Sequence, residues 1–171
     1  MRHIPAAVVL LAFCTSPATA TTIRRLDFEQ LVAESELIVH ARVVGSRSYI
    51  MPSRGWILTE TRIEVLGTVK GSPARFISVT ELGGEVGDTG MMVPGTARFK
   101  QGEEAVVFLK NVAGMWRTSG LIQGKFPIVE QRGEKMVTPA VPMADSGGRI
   151  ALRDLFDRVR RMDRAGRQTP R

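Results

Sequence analysis

Cysteine and histidine are almost absent from this 171-residue sequence, which holds one cysteine and two histidines. Cys14 and His3 both lie in the first twenty residues, so the rest of the chain keeps only His40. Structural zinc sites draw on several histidine and cysteine ligands, and disulfides need paired thiols. We therefore expect no metal, no cofactor and no disulfide after Ala20, and we interpret His40 as a surface strand residue, with a pH switch or a partner contact as the alternative.

Long apolar runs are missing as well, because no stretch approaches the roughly 20 apolar residues that a membrane-spanning helix requires. The first twenty residues instead have the pattern of a secretory signal. Arg2 gives a positive start, Ala6–Phe13 is apolar, and residues 18–20 (Ala-Thr-Ala) form a small-residue cleavage site. The sequence predicts a signal peptide over residues 1–20 and a periplasmic or secreted protein. A lipid anchor on Cys14 is the alternative, which the bulky residue before it disfavours.

An even spread of positive charge is also lacking, although the net charge is +7. Residues 149–171 contain eight arginines and three aspartates, whereas residues 21–148 contain fifteen basic and fourteen acidic residues. The β-rich part of the chain is thus nearly neutral. This distribution does not support a polyanion-binding surface across the fold, and we expect no nucleic-acid partner.

The usual catalytic motifs are absent too. The sequence has no G-x-S-x-G and no S-x-x-K, and Ser119 lies in a predicted strand without a designated base. Glu103 and Glu104 are adjacent carboxylates, but consecutive strand residues point to opposite faces and do not share a cleft. We predict that the protein is not an enzyme, while a hydrolase with an unfamiliar site stays open.

Glycine is abundant in one segment, Gly83–Gly95, but this segment does not match the known phosphate-binding or calcium-binding loops. The segment lacks the Lys-Ser/Thr ending of a P-loop, and Glu85 and Asp88 would repel an anion. It also lacks the dense oxygen ligands of a calcium loop. Met91 and Met92 follow, and their flexible side chains either fill the core or form a tolerant contact surface.

Period-two alternation of apolar residues predicts a mainly β fold. A short helix comes first, capped by Asp27 with Gln30 at the capping-box position. The predicted strands are Leu37–Val44, Trp56–Val69, Arg75–Leu82, Glu104–Lys110, Met115–Gln123, Phe126–Glu130 and Glu134–Thr138. Short strands separated by turns predict a small barrel or sandwich.

A second helix is predicted after a boundary at residues 145–148, because apolar residues recur there at helical spacing. These residues are Leu152, Leu155, Phe156, Val159 and Met162. We therefore divide the mature chain into a β domain over residues 21–145 and an arginine-rich amphipathic helix and tail over residues 146–171. The apolar stripe packs on the β domain, or the arginines meet anionic lipid or an acidic partner; Arg158 and Arg161 are the candidate contact residues for the last two cases.

The strands Ser35–Gly45 and Arg62–Gly71 resemble the opening of the netrin-like module, the OB-type barrel of tissue inhibitors of metalloproteinases. The segments Leu82–Gly95, Gly102–Leu109 and Gly120–Phe126, with Phe99, are similar to a family of exported bacterial proteins of unassigned function. This second resemblance covers most of residues 27–129, and the first covers about half of that. Together they imply an OB-like or netrin-like barrel.

The inhibitor resemblance makes the new amino terminus, Thr21 and Thr22, a candidate interaction site. In that family a disulfide-bonded cysteine at this place ligates the zinc of the protease, whereas Thr21 has no disulfide to restrain it, which weakens binding. We expect a non-enzymatic binding module that recognises another exported protein, with a protease as one class of partner. The alternative is a cell-envelope structural or adaptor protein held at the membrane surface by its basic helix. Met91 and Met92 complete the candidate residues.

Overall fold

The structure, a computed structural model, describes residues 24–143, 145–146 and 148–168. Within these ranges the chain is mainly β, with a short helix before the strands and a longer helix after them, so the predicted fold class is confirmed. The elements are α1 (Phe28–Glu34), β1 (Leu37–Met51), β2 (Trp56–Lys70), β3 (Phe76–Leu82), β4 (Gly84–Val86), β5 (Thr89–Met91), β6 (Glu104–Val112), β7 (Met115–Thr118), β8 (Lys125–Gln131), β9 (Glu134–Val137), β10 (Ile150–Ala151) and α2 (Leu152–Gln168).

Five strands close into a ring in the order β1-β2-β3-β7-β6, because β6 also pairs with β1. The β3–β7 pairing is parallel, and the other pairings of the ring are antiparallel. β6 continues on its other edge to β8, and β8 continues to β9 and β10. The ring is the arrangement that a small OB-type barrel requires, and membership of a netrin-like family stays a prediction.

The inner core fills the ring. It is built from residues two apart along each strand, because alternate side chains of a strand point to the same face. Leu37, Val39, Ala41 and Val43 of β1 belong to it, as the alternation predicts. Its buried members are Leu37, Val39, Ala41, Val43, Ile63, Val79, Ala105, Val107 and Leu109.

The outer core lies between the ring and the two helices. Phe28 of α1, Phe108 of β6 and Phe126 of β8 meet there, with ring centroids 4.9–6.1 Å apart. Ile38 of β1 contributes from the face opposite to the inner core. The strands β1 and β6 are therefore buried on both faces, which accounts for their continuous apolar sequences.

Helix α2 contributes its apolar stripe to the outer core. Leu155 and Val159 are completely buried, and Leu152, Phe156 and Met162 pack against the same cluster. Lys70 joins β2 to both helices, since its ammonium donates to the carbonyl of Val32 at 2.8 Å and lies 3.5 Å from a carboxylate oxygen of Asp163. Packing on the β domain, the first of the three interpretations of the stripe, is what the structure shows.

The predicted strand Met115–Gln123 is wrong in its second half. β7 ends at Thr118, and a 3₁₀ helix covers Leu121–Gly124. Gly120 and Leu121 have φ angles of +62° and +60°, in the left-handed region, which an extended strand does not use. The alternating apolar residues of this segment therefore lie in a tight turn instead of a strand. The helix α2 continues to Gln168, so most of the segment predicted as helix and tail is helical.

Candidate functional site

Strands β1 and β2 run past the point where the ring closes, and this extension forms the arm (Gly45–Met51 and Trp56–Arg62). The pairing of β1 with β6 ends at Arg42, whereas the pairing with β2 continues to Met51 opposite Trp56. A β-bulge between Val43 and Gly45 shifts the register where the arm begins. Bulges increase the local twist of a strand, and the arm begins at this bulge.

Hydroxyl groups line the inner side of the arm. Ser46 and Thr61 share a hydrogen bond of 2.9 Å between their hydroxyls, and Ser48 and Thr59 share another of the same length. Thr59 also donates to the carbonyl of Gly83 at 2.6 Å. Because side chains two apart in a strand share a face, Thr59 and Thr61 lie on the side of Ile63 and continue the inner core as a polar strip.

The hairpin of β4 and β5 lies over this polar strip. Gly84 has a φ of +136°, and a Cβ atom there would lie 2.3 Å from the hydroxyl of Thr59 and 2.5 Å from that of Ser48. Real Cβ atoms do not approach that closely, so glycine is required for the hairpin to pack. The glycine-rich segment thus serves a close approach of backbone to strand.

A groove of about 520 Å³ remains between the arm, the hairpin and the segment before β6. Met91 and Met92 both line the groove; Met91 is half-buried, whereas Met92 is 76% exposed. Core filling, one of the two interpretations of this pair, is therefore wrong for Met92. The other lining residues are Ser46, Ser48, Thr59, Thr61, Glu81, Leu82, Gly83, Gly84, Glu85, Gly90, Thr96, Ala97, Arg98 and Phe99.

A buried carboxylate, that of Glu81, also lines this groove. Its Oε1 accepts a hydrogen bond of 2.7 Å from the amide of Thr118, and its Oε2 lies 3.5 Å from Nη2 of Arg117. The Oε2 atom receives no hydrogen bond from the described part of the chain. Sequence reasoning missed Glu81, although the alternation in β3 places it on the face of Ile77 and Val79, where a carboxylate needs a partner.

The histidine lies in a different place, on the outer face of β1. His40 Nε2 is 2.8 Å from Oε2 of Glu104, which also accepts from Lys135 at 2.6 Å, and Arg42 donates to Oε1 at 2.6 Å. His40 is only 7% exposed, so its interpretation as a surface residue is wrong. The ion pairs connect β1, β6 and β9, and they hold the β8–β9 hairpin against the ring.

The two pKa values in this cluster are both lowered. Burial lowers the pKa of His40, and the charges of Lys135 and Arg42 act in the same direction against the contact with Glu104. Burial by itself raises the pKa of Glu104, but hydrogen bonds from Lys135, Arg42 and His40 outweigh it and bring the value to about 2. Glu104 is thus ionised at neutral pH and is a poor proton donor.

The candidate nucleophile, Ser119, is paired with another hydroxyl group. Ser119 is buried, and its hydroxyl receives a hydrogen bond of 2.9 Å from Ser35. Glu103 and Glu104 point to different sides, as expected: Glu103 binds the ammonium of Lys125 at 2.7 Å, and Glu104 binds His40. In residues 24–143, 145–146 and 148–168 no group of three His, Cys, Asp or Glu side chains is arranged to hold a metal.

The remaining predicted contact residues are scattered. Thr21 and Thr22 lie outside the described residues. The guanidinium of Arg158 stacks 4.4 Å from the ring centroid of Phe28 and donates to the carbonyl of Asp145, so it helps to hold α2 in place. Arg161 is exposed on α2. Of the four candidates within the described residues, Met91 and Met92 lie at the groove, and Arg158 and Arg161 lie on α2.

Comparisons with known proteins do not identify a relative. No protein-family model matches the chain, and no curated protein matches it. No helix in the described ranges has the length and apolar character needed to cross a membrane.

Proposed function

We propose that the chain is a non-enzymatic binding module that recognises another exported protein through the groove and the hairpin beside it. The observation that carries this proposal is Met92, a large apolar side chain that is 76% exposed at the edge of a groove of about 520 Å³. Flexible thioethers at a surface make adaptable contacts with a protein partner. An exported protease is one class of partner to test.

The chemistry of the groove supports binding rather than reaction. Its hydroxyls are bound to one another and to a backbone carbonyl, and His40 lies on the outer face, paired with Glu104. A hydroxyl nucleophile is activated by a base within hydrogen-bonding reach. The serines and threonines of this groove have hydroxyl or backbone carbonyl partners instead, so they are suited to hold a ligand.

The alternative function, an adaptor at the membrane surface, has less support from the surroundings of α2. An interfacial helix buries its apolar side in the lipid. Here Leu155 and Val159 are used inside the protein, which leaves only the arginines of α2 for a membrane.

Photo-crosslinking tests the proposal. A photoreactive amino acid at Met92 should capture a defined protein from an envelope extract, while the same probe at Val129, which is also exposed but lies on β8, should not. The substitution Met92→Ser should then weaken binding of the purified partner about 10-fold. Equal capture from both positions, or unchanged affinity of the variant, would contradict the proposal.

A further inference from the structure

We infer that the partner docks as an extended strand that adds to the free edge of β1 in the arm, from Ser46 to Ile50. This inference rests on the proposed function and specifies it, because it names the conformation and the chemistry of the bound segment. Addition of a strand to a sheet edge is an established mode of peptide recognition, in which the main chain gives affinity and alternate side chains give specificity.

The first observation is an unpaired edge. β6 covers one edge of β1 only as far as Arg42, and the last bonds on that side join Val43 to Glu103 and Gly102. From Gly45 to Met51 the only strand paired with β1 among the described residues is β2. A strand segment of this length with one free edge is a template for pairing with another chain.

The second observation concerns the direction of the backbone groups. The carbonyl of Ile57 accepts from Gly83, so the polar groups of Ile57 point towards β3. Ile57 is opposite Ile50, and opposite residues of an antiparallel pair either bond to each other or both point away. The N–H and C=O of Ile50 therefore point to the free edge, and by alternation those of Ser48 and Ser46 do the same.

The usual protection of such an edge is weak here. Proteins cover an edge or block it with proline, inward charges or bulges. Between Gly45 and Met51 there is no proline, and the register with β2 has no irregularity. Ser46 and Ile50 are exposed, and the single charged residue, Arg47, points outward. The edge is thus ready to pair.

The outer flank of the edge selects for negative charge. Arg47 pairs with Glu60, yet its side chain is 79% exposed whereas that of Glu60 is 25% exposed. Arg62 is exposed next to them and stacks on Phe76, with its guanidinium 4.7 Å from the ring centroid. The guanidinium groups therefore dominate the outward surface, and an acidic side chain of an added strand would meet them.

The inner flank of the edge is the groove itself. Ser46 and Ser48 line both the edge and the groove, so every second side chain of an added strand would face the hydroxyls and the hairpin with Met92. The structure thus assigns the occupant as an extended segment of another polypeptide, with an acidic residue on the outward face and small or polar residues on the face towards the groove.

A designed peptide is the probe for this docking mode. Ac-TVTETVT-NH2 reads the same in both directions, so its glutamate is central in either orientation of pairing. The control Ac-TVTKTVT-NH2 differs only at the central residue, where lysine reverses the charge, and should bind the full mature protein about 10-fold more weakly. In an NMR titration, the amides of Ser46, Ser48 and Ile50 should become protected from hydrogen exchange.

N-methylation of the acidic peptide separates strand addition from other binding. Two versions are methylated at alternate positions, one at the odd residues and one at the even residues. Because a strand pairs through one set of its amides, one version should keep binding and the other should lose it. Equal behaviour of the two versions, protection at other amides, or no binding of any peptide at about 1 mM would overturn the inference.

Two variants give a matched control on the protein. Ile50→Pro removes one edge amide and should weaken the acidic peptide at least about 10-fold, whereas Ile50→Ala keeps the amide and should change binding less than about threefold. If Ile50→Pro does not fold, binding of the two methylated peptides to the unchanged protein still tests strand addition. Protection of these amides that rises with protein concentration alone would assign the edge to a second copy and overturn the inference. Crosslinking from Met92 that persists in Ile50→Pro would refute strand addition while leaving the proposed function in place.

Discussion

The two halves of β1 have the same secondary structure and opposite surroundings. From Leu37 to Val43 the strand has partners on both edges and core on both faces, with Ile38 completely buried. From Gly45 to Met51 it has a partner on one edge, and Ile50 is 46% exposed. One continuous strand thus provides rigid structure in its first half and an accessible edge in its second half.

The difference shows how a small β protein can leave a strand edge unpaired while its core stays intact. An isolated two-stranded arm is marginally stable in water. Here β3 supports β2 on the other side as far as Leu58, and the β4–β5 hairpin packs on the inner face through Gly84. The arm is therefore held in place by the ring, while the outer edge of β1 has no strand partner among the described residues.

The largest expected effect is a loss of folding stability in the buried half of β1, compared with the exposed half of the same strand. Ile38→Ala should reduce the free energy of unfolding by about 4 kcal/mol, because it leaves a cavity in the outer core. Ile50→Ala, the same substitution in the exposed half, should cost less than about 0.5 kcal/mol. Urea unfolding of both variants measures the difference, and equal losses would show that the arm belongs to the core.

The next effect concerns the helix that covers the buried half. Leu155→Ala should destabilise the protein by about 3 kcal/mol, because this side chain is completely buried in the outer core. Arg161→Gln on the exposed side of the same helix should change stability by less than about 0.5 kcal/mol. Thermal or urea unfolding is the measurement. A neutral Leu155→Ala, together with salt-sensitive binding to anionic vesicles, would favour the membrane adaptor instead.

The smallest of these effects is a dependence of the folding stability on pH, which arises from His40 and Glu104 near the boundary between the two halves of β1. The pKa of Glu104 is lowered from 4.5 to about 2, so its stabilisation is present above pH 4.5 and is lost as the pH falls towards 2. The pKa of His40 is also lowered, so the unfolded chain takes up its proton first as the pH falls below 6.5. Both groups therefore make the folded protein less stable as the pH falls.

Glu104→Gln removes the first of these contributions. We expect the variant to be less stable than the natural sequence by about 2 kcal/mol at neutral pH, below the full value of the pKa shift because the carboxylate is partly exposed. The difference should shrink towards about pH 2. Glu64→Gln, at the exposed pair with Arg75, is the control and should cost less than about 0.5 kcal/mol at any pH. A difference between Glu104→Gln and the natural sequence that does not vary with pH would show that the ion pairs are not its cause.

Sequence patterns predicted the elements more reliably than the site. The cap of α1 at Asp27, the faces of β1 and the apolar stripe of α2 were all predicted from local spacing and are observed. The wrong end of β7 arose because apolar alternation does not reveal left-handed residues at Gly120 and Leu121. His40 was expected at the surface because its burial depends on residues distant in the sequence, among them Glu104, whose carboxylate binds the imidazole.

The sequence by itself determined the mainly β fold, the two helices and the lack of a familiar catalytic motif, because these depend on periodicity and on which residue types are present. The tertiary structure alone decided where the ring closes, that Glu104 collects three cationic or imidazole partners, and that Glu81 lies buried beside the groove. These features depend on the pairing of strands far apart in the chain. The free edge of β1 is decided in the same way, since the sequence shows a strand but does not show where its neighbour stops.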